Sequence, residues 1–250
     1  LWYLHDLQRF TTQTSASIVI EAFEKLSNTE LPDESFRVMG DRVLAWNLPA
    51  PPNYRLLKRD LFLLIEPRWA PFFDDADSAI DWRLVGWGGG FIDDRRDATK
   101  GQICPRGCIP ALDQPAVTNA EGGTWYPDDE FVFGIVIGQQ ARAYPKNIME
   151  VHEMVNDTLG GRNIAIPYCT LCLSAQAYFT DDIEGFQPLL RTSGLLSRSN
   201  KFMYDIATYS AIDTFTGEAL SGPLFNAGVT LNQTTVVTST WGAWREAYPN

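Results

Sequence analysis

The stretch Phe131-Val132-Phe133-Gly134-Ile135-Val136-Ile137, then Gly138-Gln139-Gln140, then Ala141-Arg142-Ala143-Tyr144, decides the fold class. Apolar, β-branched and aromatic residues on both sides of a short Gly-containing segment read as a β-hairpin. Further along, Asn163 to Tyr168 alternates Ile164, Ile166 and Tyr168, a second strand signal, and Ala175, Ala177 and Phe179 continue that period. Asp181 to Gly185 and Thr216-Gly217-Glu218 read as turns. A closing helix is expected from Thr240, with Trp241, Trp244 and Tyr248 on one face.

Before the hairpin the periodicity changes. Val19, Ala22, Phe23 and Leu26 recur at helical spacing, and Phe36, Met39 and Val43 follow with Asp33 as an N-cap after Pro32. Pro49, Pro51 and Pro52 end that second helix. A third begins near Asn53, carries Leu57, Leu61, Leu64 and Ile65, and stops at Pro67. Asp74 to Asp97 is acidic and rich in Trp and Gly, with Gly88-Gly89-Gly90 as a break. The expected fold is α+β: a small helical region over 1–97 and a β-rich core domain with a few helices over 98–250.

Composition excludes some functions. The 250-residue chain is 45% hydrophobic, enough for a real core, and carries a net charge of −11. Its only basic pairs, Lys58-Arg59 and Arg95-Arg96, sit among acids, so a phosphate-binding stripe for nucleic acid is missing. No apolar run reaches the roughly 20 residues of a transmembrane helix. Ser174 and Ser193 have no Gly-x-Ser-x-Gly elbow, and Gly86 to Gly90 lacks the lysine of a phosphate loop. Two close cysteine pairs, Cys104/Cys108 and Cys169/Cys172, and two sequons at Asn156 and Asn232 lead us to expect an extracytoplasmic protein. The start at Leu1 fits a mature form.

The candidate chemistry lies between the hairpin and the next strand. Pro145 to Leu159 reads as a helix with Ile148, Val151 and Val155 as its apolar face and His152 within that stripe. The following strand delivers Cys169-Thr170-Leu171-Cys172 beside it. Four readings stay open. His152, Cys169 and Cys172, with Met203 as a candidate fourth ligand, suit zinc or copper in a metal-binding or metal-dependent redox protein. Cys169 as attacking thiolate, with His152 as its base and Glu153 assisting, suits a thiol–disulfide oxidoreductase. A Cys169–Cys172 disulfide against a core histidine is a structural or binding module, and two inert thiols are the fourth. Cys104 and Cys108 suit a local disulfide.

Several motifs, in order, resemble those of the uncharacterised domain-of-unknown-function family 3179. They are Ala141-Arg142-Ala143-Tyr144-Pro145, His152-Glu153-Met154-Val155-Asn156-Asp157 and Tyr168-Cys169-Thr170-Leu171-Cys172. Ser193-Gly194-Leu195-Leu196, Ser199 to Asp205, Thr216-Gly217 and Thr240-Trp241 through Trp244-Arg245 continue the pattern. The resemblance covers about Ile109 to Asn250 and implies a mostly prokaryotic, often exported protein with no assigned activity. It adds Asn156, Asp157, Tyr204 and Asp205 to the motif positions, and these are expected to orient the ligands. Leu173 stands where relatives usually have a small residue, and Ala211 to Phe215 lacks their Leu-Trp and Gln. Cys104 and Cys108 lie outside the common pattern, and relatives continue past the position of Asn250.

Overall fold

The computed structural model describes residues 1–8, 10–32, 36–96 and 107–249. The fold is α+β, and the chain divides into two compact units: Leu1–Asp74 with Asp81–Gly86, and Asp75–Ile80 with Trp87–Asn250.

The first unit is helical: α1 (Trp2–Gln8), α2 (Gln13–Ser27), α3 (Phe36–Ala45), α4 (Tyr54–Ile65) and α5 (Ala70–Asp74). Of these, α1 and α5 carry too few periodic residues to be read from sequence. Asp33, the expected N-cap of α3, lies outside the described residues. The face of α4 is a correction. Tyr54, Lys58 and Phe62 are buried, whereas Leu57 and Leu64 point to solvent, Leu64 with 76% exposure. A buried lysine is tolerated because its ammonium meets Asp6 at 3.1 Å and donates to the Trp82 carbonyl at 2.8 Å. Burial alone would raise the Asp6 carboxyl, but Lys58, His5 and Tyr54 together hold it below its ordinary range.

The second unit is built from strands. After β1 (Val85–Trp87), whose first two residues belong to the first unit, come β2 (Leu112–Asp113), β3 (Phe131–Ile137), β4 (Gln140–Pro145), the short helix α6 (Lys146–His152), β5 (Met154–Leu159) and β6 (Arg162–Cys169). Then follow β7 (Ser174–Ala175), β8 (Ala177–Phe179), β9 (Leu190–Ser197), β10 (Asn200–Asp205), β11 (Ala211–Asp213) and α7 (Gly222–Asn226). The chain closes with β12 (Gln233–Thr234), β13 (Val237–Thr240) and α8 (Trp241–Ala247). One sheet runs β12-β8-β6-β5-β2, with β7 paired to β6. A second runs β13-β3-β4, and β9, β10 and β11 pair antiparallel in that order.

The central sheet is buried on both faces. Met154 and Ala165 pack with Leu190, Met203 and Ile212, while Val155, Ile164, Ile166 and Tyr168 pack with Phe133, Ile135 and Met149. Each large side chain buried this way contributes about 1.5–3 kcal/mol relative to exposure.

The expected hairpin, the Asn163–Tyr168 strand, the two turns and the closing helix are all present. The expected helix over Pro145 to Leu159 is corrected. It ends at His152, because Glu153 takes a left-handed conformation (φ 51°) and its N–H closes on the Met149 carbonyl. Met154–Leu159 is then a strand, with Asn156 opposite Ala165 and Asp157 opposite Ile164, joined to β6 through Gly160-Gly161. Val151, placed in the apolar stripe, is 60% exposed, and Met149 is the buried residue instead.

Candidate active site

Strand β6 ends at Cys169, and β7 pairs back on it with Ser174 opposite Cys169. The four residues between make a tight turn, in which the Cys172 N–H bonds the Cys169 carbonyl at 3.2 Å. That turn brings the two sulfurs to 2.8 Å. Both thiols are free; Cys169 is buried and Cys172 is exposed. Partial burial of its sulfur and the neighbouring Cys169 push the Cys172 thiol up to about 12. Two thiols this close share protons, so the second is released much later than the first.

Three side chains complete the surroundings. The Glu153 carboxylate accepts the Thr170 hydroxyl at 2.7 Å and meets the Lys201 ammonium at 3.2 Å. Lys201 also donates to the Glu153 carbonyl. Burial pulls the Lys201 amine down to about 8, against the opposing pull of Glu153 and of Cys169. Cys169, Thr170, Leu171, Glu153, Thr192 and Lys201 line a small cavity of about 110 Å³.

Backbone strain gathers here as well. Glu153, Leu173, Arg198 and Ser199 have φ between 51° and 64°, a region that costs non-glycine residues about 1–3 kcal/mol each. Arg198 and Ser199 form the β9–β10 turn, and the Cys172 sulfur lies 4.0 Å from the Ser199 carbonyl and 3.7 Å from Asn200 Oδ1.

The other expected site residues have different partners. His152 Nδ1 bonds the Pro110 carbonyl at 2.6 Å, and the ring does not line the cavity. Met203 is packed in the core with Met154, Ala165 and Ile212. Asn156 bridges Asp113 and the Leu190 backbone, so the sequon residue at this position is buried inside a sheet. Asp157 accepts from Arg142 and the Tyr144 hydroxyl, Tyr204 donates to the Asp93 carbonyl, and Asp205 accepts from Leu189 and Thr208. Among the described residues, no group of three or more His, Cys, Asp or Glu is arranged to hold a metal ion. Cys104 lies outside the described residues, and with it the pairing expected for Cys104 and Cys108.

Sequence reasoning missed Lys201. The signal in the sequence was Lys201 itself: a cation within Asn200–Asp205, a strand whose residues are all buried in the fold, needs a partner inside the domain.

The sheets and the turn-borne thiol pair define an α+β protein that holds a free dithiol against a buried lysine–glutamate pair. The chain belongs to a family described as "Protein of unknown function (DUF3179)", whose model matches residues 106–250. No curated protein and no solved structure matches the chain. Among the described residues, no helix is long and apolar enough to cross a membrane.

Proposed function

We propose that this protein is a thiol–disulfide oxidoreductase whose working pair is Cys169 and Cys172. The observation that carries the reading is the 2.8 Å separation of two free sulfurs, one buried beside a cavity and the other exposed. A disulfide needs about 2.05 Å between sulfurs, so the pair closes with a small side-chain movement.

In the proposed cycle the Cys169 thiolate attacks one sulfur of a substrate disulfide. The substrate S–S bond breaks, one half leaves as a thiolate, and the other half stays bonded to Cys169. The Cys172 thiol passes its proton to the departed thiolate, and its sulfur then attacks the Cys169 sulfur and expels the second half as a thiolate. The protein ends with a Cys169–Cys172 disulfide and the substrate gains two electrons; the reverse direction oxidises a dithiol. The Lys201 ammonium lines the same cavity as Cys169 and interacts with it electrostatically, which suits it to pair with the attacking sulfur. This assigns the activating role to Lys201, held by Glu153, in place of the His152 base expected from sequence.

Alkylation kinetics test the proposal. In Cys172→Ser, Cys169 should react with iodoacetamide near neutral pH faster than a free model thiol, and Lys201→Met should slow it. The same variant should trap a mixed disulfide with hydroxyethyl disulfide, whereas the wild type should release it and close its own pair. A Cys169 no more reactive than the model thiol, together with a wild type that never closes, would sink the proposal.

A further inference from the structure

The two sulfurs of the cysteine pair face different surroundings. Cys172 stands exposed on the turn and does not line the cavity, whereas Cys169 is 2% exposed and borders the cavity together with Glu153 and Lys201. That cavity holds about 110 Å³, well below the roughly 300 Å³ at which sites for ordinary small-molecule ligands begin. It suits a molecule of a few heavy atoms. A peptide or protein disulfide does not fit inside it, so whatever reaches Cys169 through this space is small.

Lys201 supplies the polar part of the wall. An ammonium carries three N–H donors. Glu153 takes two of them, one with its backbone carbonyl and one with its carboxylate at 3.2 Å, which leaves the third for a molecule in the cavity. The Thr170 and Thr192 hydroxyls spend their protons on the Glu153 carboxylate and the Ile109 carbonyl. The space therefore offers a thiol, one cationic proton donor and a second thiol 2.8 Å behind the first. A thiol beside a proton donor matches a small electrophile whose leaving group needs a proton. A second thiol in contact with the first matches an oxidation that ends in a disulfide. The carboxylate of Glu153 already balances the ammonium, so a simple anion gains little there.

We infer, resting on the reading of Cys169 and Cys172 as a working dithiol, that the oxidant taken up in this cavity is hydrogen peroxide and that an external dithiol restores the pair. The Cys169 thiolate attacks one peroxide oxygen and the O–O bond breaks. The other oxygen leaves as hydroxide, takes a proton from Lys201 and becomes water. Cys169 is then a sulfenic acid, oxidised by two electrons. The Cys172 sulfur attacks the Cys169 sulfur, the S–O bond breaks, and the hydroxide departs with the Cys172 proton as a second water. Partial burial and the neighbouring Cys169 push the Cys172 thiol up to about 12, so it still carries the proton that this step uses. In the disulfide the Cys172 sulfur is the exposed one, and there a thiolate of the external dithiol attacks and releases Cys169 as a thiolate. The second thiol of the dithiol then displaces Cys172 and closes its own disulfide. The two protons that the dithiol gives up return to Cys172 and Lys201.

Thiol counting after rapid mixing of the reduced protein with hydrogen peroxide at neutral pH tests this. The rate should exceed that of N-acetylcysteine at least about a hundredfold, the lower range of what a placed proton donor contributes. It should also exceed the protein's rate with cumene hydroperoxide, whose bulk the cavity does not admit. Cys172→Ser should stop at a sulfenic acid that dimedone captures, and the wild type should consume peroxide over many turnovers with dithiothreitol. Iodide leaves iodoacetamide without a proton, so in the Cys172→Ser background Lys201→Met should slow the peroxide reaction at least about tenfold more than it slows alkylation. Glu153→Gln combined with Lys201→Met leaves no buried charge unpaired and repeats that comparison where the single variant fails to fold. A peroxide rate no higher than that of N-acetylcysteine, faster reaction with cumene hydroperoxide, or equal losses of the two rates without Lys201 would overturn the inference. If hydroxyethyl disulfide still closes the pair in that case, the dithiol reading stands without it. If Cys169 also alkylates no faster than a model thiol and the pair never closes, both fall.

Discussion

Cys169 and Cys172 hold their sulfurs 2.8 Å apart across one tight turn, yet only Cys169 is buried. Closing that turn joins residues three apart in sequence, so a disulfide there removes little freedom from the unfolded chain. Mild oxidation should convert the two thiols into one intramolecular disulfide, seen by mass spectrometry as the loss of two hydrogens. Stability should change by no more than about 2 kcal/mol, measured by denaturant unfolding of both forms. A pair that resists oxidation while the protein stays folded would contradict this.

His152 should prove dispensable for thiol chemistry. Its Nδ1 is committed to the Pro110 carbonyl, and its ring lies outside the lining of the cysteine cavity. His152→Ala should cost about 1 kcal/mol of stability for the lost bond and leave the alkylation rate of Cys169 at the wild-type value. Rates measured on His152→Ala and Lys201→Met in the Cys172→Ser background separate the two activating roles. A large drop in the first and none in the second would restore the histidine.

The same contrast explains how much of the molecule was legible beforehand. Strand β3 announces itself as a run of β-branched and aromatic residues, β4 and β6 because bulky or long residues alternate with small ones, and Thr240 caps α8 as its chemistry suggests. Strand β5 was hidden, because Ile148, Val151 and Val155 happen to keep helical spacing across a break at Glu153 that no Gly or Pro marks. With both faces of the central sheet covered, Met154 and Val155 are buried on opposite sides, a pattern that periodicity cannot separate from a helix. The cysteine pair was visible as a motif, but its partner Lys201 arrives from a strand 29 residues beyond Cys172, and only the folded sheets bring it there.

Gly134 offers a test of the aromatic packing apart from any ligand. It faces Trp244 so closely that an added methyl must displace the ring or the strand. Gly134→Ala should therefore destabilise the protein by about 1–3 kcal/mol, the usual cost of overpacking, although alanine suits a strand backbone no worse than glycine. Chemical denaturation would read the change. A neutral or stabilising result would mean that the Trp244 ring moves freely.

The Lys201–Glu153 pair should leave a signature in the pH dependence of stability. The Lys201 amine titrates near 8 in the folded protein and near its ordinary value of 10.5 when unfolded. Between those values the unfolded chain binds more protons, so stability rises as pH increases through that window. Below it the cost of holding a buried ammonium is constant. The Cys172 thiol acts in the opposite sense, because its folded value of about 12 lies above the ordinary 9, so it lowers stability as pH climbs from there. The clearest window is thus the first unit above the folded lysine value, where unfolding free energy should increase by at most about 1 kcal/mol. Glu153→Gln combined with Lys201→Met should flatten that rise. Lys201→Met alone should cost about 3–5 kcal/mol, since it leaves the buried Glu153 carboxylate without its cation. Denaturation curves collected at several pH values on the wild type and on the double variant check both statements. A rise of equal size in the two would show that another group titrates in this window and that the lysine is not its source.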